Sequence, residues 1–107
     1  MDLKLLGANL GLEKSEFIEL VELFLRTARQ DLQKLTAAYQ SGDFEAVAES
    51  AHSLKGSSGN LGFIELSVLS KNAEDKGRKN DLSDFAQLID SIHQQIGKIQ
   101  ECFEQSI

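Results

Sequence analysis

His52 is followed by Lys55 one helical turn on, and by Gly56 and Gly59 at i+4 and i+7, where side chains on a helix surface are neighbours. A neutral imidazole is a competent nucleophile near pH 7, since its unperturbed pKa is about 6.5. A lysine close by can neutralise the oxygens of a transferred phosphoryl group. Missing side chains at the glycines let another macromolecule come close. The glycines also need explaining, because each costs roughly 0.8–1 kcal/mol in a helix interior. A plainer alternative is a surface histidine on a loosely formed helix end, with glycines serving a turn at residues 59–62.

For His52 to be reached, its helix must bury a different face. Stepping about 100° per residue from Val47 puts Phe44, Val47, Ala48, Ala51, Leu54, Ser58 and Leu61 on one packing stripe. His52 then projects roughly 125° from the centre of that stripe, toward solvent. Lys55 stands between the exposed face and the core. This motif helix is expected from Phe44 to Asn60 or Gly62, with Asp43 as its cap and Gly42 closing the helix before it. That earlier helix carries Phe17, Leu20, Val21, Phe24, Ala28, Leu32, Leu35 and Tyr39 on a single stripe, with Ser15 as the expected N-cap. After a turn near Gly62-Phe63, a shorter helix holding Leu66, Leu69, Ser70 and Ala73 should end around Gly77. Arg78-Lys79-Asn80-Asp81 reads as a loop, and Asp81 or Ser83 as the cap of a last helix. Phe85, Leu88, Ile89, Ile92, Ile96, Ile99 and Phe103 form the stripe of that last helix.

The expected fold is all-α: an antiparallel, up-down four-helix bundle. A short N-terminal lead-in at residues 1–12 should cover one end of the core. The whole chain, residues 1–107, is read as one domain. It has no proline, and its 41% hydrophobic and 26% charged residues are ordinary for a soluble globular protein. A net charge of −6 argues against nucleic acid as partner, because a phosphate backbone requires a concentrated basic surface. No apolar run approaches the ~20 residues of a membrane span. The lone Cys102 fits a reducing compartment, and a cytoplasmic monomer is expected. His52, His93 and Cys102 lack metal-ligand spacing, and no phosphate-binding glycine loop followed by lysine is present. Lys71, Lys76, Arg78 and Lys79 read either as favourable charge at a helix C-terminus or as a rim attractive to an acidic pocket.

The run His52-Ser53-Leu54-Lys55-Gly56-Ser57-Ser58, followed by Leu61-Gly62, resembles the signature of histidine-containing phosphotransfer (HPt) domains of bacterial multistep phosphorelays. The resemblance implies a phosphocarrier with no ATP site of its own. His52 would be the phosphoacceptor, and response-regulator receiver domains or a hybrid histidine kinase its partners. No cofactor is implied on this chain; Mg²⁺ is expected on the receiver. Lys55 would meet the phosphoryl charge, and Gly56 and Gly59 would clear the docking surface. Phe63, read as exposed, Lys71 and the 1–12 segment would contribute to binding. Glu74 occupies the spacing at which such domains place a Glu or Gln against the histidine Nδ1; otherwise it is an exposed glutamate paired with Lys71 or Arg78. Two other readings remain: the phosphoacceptor domain of a chemotaxis-type kinase, and a non-catalytic helical interaction module.

Overall fold

With no proline to interrupt them, the apolar stripes run unbroken into helices. A computed structural model describes residues 1–107 and contains five: α1 (Leu3–Asn9), α2 (Lys14–Ser41), α3 (Phe44–Asn60), α4 (Ile64–Arg78) and α5 (Phe85–Ser106). No strand is present. The four long helices close a ring in which α2 touches α3 and α5, and α4 touches the same two. The short α1 lies across α2 and α5. It buries Leu3 and brings Gly7 so close to α2 that a Cβ there would stand 2.8 Å from the Phe17 Cβ. No helix is long and apolar enough to cross a membrane.

The boundaries of α3 follow from the residues expected to set them. Gly42 closes α2 at φ +70°, a left-handed conformation glycine adopts without strain. Asp43 Oδ1 then accepts from the Ala46 amide at 3.1 Å and caps α3. Three other ends differ from expectation. Helix α2 begins at Lys14 with Glu13 as its N-cap, so Ser15 falls inside the first turn. Glu16 makes the difference: its Oε1 accepts from the Glu13 amide at 3.0 Å and satisfies a donor at the helix start. Helix α4 runs one residue past Gly77, which is helical and buried rather than terminal. Helix α5 is preceded by Asp84 at φ +57°, not capped by Asp81 or Ser83. Those two bond each other, as Asp81 Oδ1 accepts from both the amide and the hydroxyl of Ser83.

The core draws on every helix, with Phe17, Val21, Leu35, Val47, Leu54, Leu66, Phe85, Ile92, Ile96 and Ile99 almost wholly enclosed. Phe63 belongs with them. It is 3% exposed, its ring centred 5.1 Å from that of Phe24, so it is no part of a docking surface. The cause lies next door: Gly62, at φ +84°, reverses the chain and turns the following side chain inward.

Candidate functional site

Helix α3 buries Val47, Ala48, Ala51, Leu54 and Ser58 on the expected stripe, while Phe44 at its start stands partly in solvent. His52 consequently points outward, with 61% of its side chain exposed. Helix α4 lies along the flank of α3. Their contacts move steadily from Ser67 Oγ, donating to the Lys55 carbonyl at 3.2 Å, through Glu74 beside His52, to Gly77 against Val47 and Ala48. That succession carries Glu74 to the histidine.

Glu74 is 4% exposed and is held by three donors. Lys55 Nζ lies 2.7 Å from Oε1, Arg78 Nη2 lies 2.7 Å from Oε2, and His52 Nδ1 lies 2.9 Å from the same Oε2. Burial alone would push its pKa up. The hydrogen bonds from Lys55, Arg78 and His52, with the Lys55 charge, outweigh it and hold the carboxyl at about 2. Glu74 is therefore an ionised acceptor at neutral pH, with no proton to donate. The proton of the short contact must sit on His52 Nδ1, which leaves the lone pair of Nε2 facing solvent. The arrangement can present a neutral imidazole nitrogen to an electrophile while its other nitrogen is fixed.

Gly56 is open, for a Cβ there would meet nothing within 4 Å. Gly59 is different, because its Cβ would stand 3.3 Å from Ser67 Oγ. It is exposed and also borders the seam with α4. The basic residues differ in their partners: Lys76 donates to the Ser83 carbonyl, Arg78 binds Glu74, and Lys71 and Lys79 are exposed and form no ion pair. His93 and Cys102 lie on α5 and take no part in the hydrogen bonds of the cluster on α3 and α4.

Two contacts were not foreseen. One is the bond from Lys55 to Glu74. The other joins α2 to α3, where Ser53 Oγ donates to Asp31 Oδ2 at 2.7 Å, beside His52 in sequence. Asp31 is 6% exposed, and its signal was present: it sits three residues after Ala28 and four before Leu35, on the packing face of α2.

The sequence profile of the Hpt domain matches residues 19–105. Among solved structures the chain is similar to the crystal structure of histidine-containing phosphotransfer protein B (HptB) from Pseudomonas aeruginosa PAO1. The two share 28% identity and a TM-score of 0.87, over 98% of this chain and 91% of that one. A search of curated proteins gave no match.

Proposed function

The chain belongs to the Hpt domain family, and we propose that it is a phosphocarrier, relaying a phosphoryl group between receiver-domain aspartates in two-component signalling. The observation that carries this reading is the pairing of His52 Nδ1 with an ionised, buried Glu74, which leaves Nε2 free. In the step itself, the Nε2 lone pair attacks the phosphorus of a receiver's aspartyl phosphate. The N–P bond forms as the acyl P–O bond breaks, and that electron pair returns to the aspartate carboxylate. The ring keeps its Nδ1 proton and gains a positive charge directly opposite the Glu74 carboxylate, which stabilises it. Delivery to a second receiver reverses the same bonds. Lys55, held at Glu74 Oε1, helps to neutralise the phosphoryl charge from that place, and Mg²⁺ comes with the receiver. The chain supplies a phosphorylatable nitrogen and its setting, with no ATP-driven chemistry of its own.

The scaffold we read as an antiparallel, up-down four-helix bundle, supported by the ring of contacts and by the short turns between α2, α3 and α4. Receivers would dock over Gly56 and the neighbouring face of α2. The Asp31–Ser53 bond and the Phe24–Phe63 contact set that level, placing exposed Leu20 and Leu23 toward the same end as Gly56. Exposed Leu5 of α1 and Leu10 just beyond it offer further apolar surface. We place this carrier in the cytoplasm, as a monomer, with receivers or a hybrid kinase as partners.

Incubation with a phosphorylated receiver should transfer acid-labile phosphate to the wild-type chain. His52→Gln should take up none while keeping its helicity and unfolding midpoint, since an exposed side chain is exchanged for one that still reaches Glu74. Label retained by that variant would place the phosphate elsewhere and overturn the reading.

A further inference from the structure

The cluster beneath His52 carries more positive charge than its carboxylate balances. Glu74 supplies one negative charge, while Lys55 and Arg78 supply two positive ones, both within 2.7 Å of its oxygens. Glu49 and Lys55 lie one turn to either side of His52 on α3, Lys71, Asp75 and Arg78 flank Glu74 on α4, and Asp31 of α2 is engaged by Ser53. Of the two cations on the carboxylate, Arg78 is the freer. Its side chain is 61% exposed, against 32% for Lys55, so it gives up less packing of its own on swinging away.

Arg78 also shares Oε2 with His52 Nδ1. Once the ring is phosphorylated, Nδ1–H belongs to a cationic ring, and its bond to the ionised Oε2 then joins opposite charges and strengthens. The carboxylate is then balanced by the ring and Lys55, and Arg78 is no longer needed there. At the same moment a group carrying close to two negative charges stands across the same imidazole. The two bonds to the shared oxygen, 2.9 and 2.7 Å long, start the guanidinium close to Nδ1. The exposed side chain then has only the width of the ring to pass before opposite charges attract and its forked donor meets phosphoryl oxygens. We propose that Arg78 is a second phosphoryl-binding cation, held on Glu74 Oε2 until His52 is phosphorylated and then passed to the phosphoryl oxygens. This rests on the phosphocarrier reading and adds to it a change of partner within the site.

The test uses phosphoramidate, a small donor that labels the chain without a receiver, and follows the phosphohistidine by ³¹P NMR as pH is varied. A cation on the phosphoryl group favours its dianion. Arg78→Gln should therefore raise the midpoint of the monoanion–dianion titration by about 0.5 pH unit relative to wild type. Arg78→Lys, which keeps the charge, should restore most of that difference. A residue that merely braced Glu74 would leave the phosphorus titration unmoved. A labelled Arg78→Gln protein with the wild-type midpoint overturns the role given to Arg78 alone. Failure of phosphoramidate to label wild-type His52 overturns the phosphocarrier reading as well.

Discussion

Gly56 and Gly77 lie in neighbouring helices and weaken them by similar amounts, yet they face opposite conditions. A Cβ at Gly56 would enter open space, whereas one at Gly77 would stand 2.9 Å from both the Ala48 amide nitrogen and Val47 Cγ1, and 3.0 Å from the Phe44 carbonyl. The first leaves a surface bare beside His52. The second lets the backbone of α3 and the end of α4 approach closely, which seats Glu74 under the imidazole one turn earlier. One side of the histidine is thus kept empty and the other tightly closed, by the same residue type. A glycine's role is decided by what lies opposite it, not by its own helix.

The largest expected effect comes from the closed side. Glu74 titrates at about 2 in the fold against an ordinary 4.5, so its ionised form stabilises the protein above pH 4.5, and this contribution is lost as pH falls toward 2. A shift of that size corresponds to about 3 kcal/mol at neutral pH. Glu74→Gln should be less stable than wild type at pH 7 by up to that amount. Urea unfolding across the acid range should show the two proteins converging between pH 4.5 and 2. A gap that stays constant with pH would mean the carboxylate's charge is not what closes this side.

Gly77→Ala comes next. Its new methyl meets backbone rather than a flexible side chain, so α4 must shift, at about 1–3 kcal/mol after any gain in helix propensity. The urea midpoint measures this, and slower phosphotransfer should accompany it as Glu74 moves. Wild-type stability would show a seam with slack.

The smallest change in stability belongs to the open side. Gly56→Ala should be more stable by about 0.5–1 kcal/mol, because nothing opposes the added methyl. Gly56→Gln should keep most of that gain, accept phosphate from phosphoramidate, and exchange it poorly with receivers. Normal exchange in that variant would show that bareness at Gly56 is not what admits the partner.

What the sequence made legible was local. His52, Lys55 and Gly56 fall within two turns of one helix, so their spacing alone assigned their faces. The long stripes of α2, α3 and α5 were readable for the same reason. Helix ends were less so, since several cap-forming residues crowd each one: Glu13 prevailed over Ser15 through the reach of Glu16, and Asp81 spent its oxygen on Ser83. Contacts between helices were the hardest. The charge of Glu74 was plain, but its burial depends on α4 lying against α3, and Phe63 turned inward through the backbone angle of the residue before it. Gly59 and Gly77 could not be told from Gly56 until the opposite helix was in place.

The His52 ring offers one free nitrogen, since the other is committed to Glu74. A stable protein interface covers about 800 Å² on each partner, and the chain exposes 6236 Å² in all. Surface is ample, but under the proposed function donor and acceptor would both have to centre their footprints on the same atom. They could not sit together, so on the proposed reading the carrier would work by alternation and never as a bridge. A spent donor that lingered would block delivery, and an unphosphorylated acceptor would block loading. In such a carrier the N–P bond would have to outlast at least one dissociation and one new encounter, which would make the rate of unbinding as much a property of the signal as the chemistry of transfer.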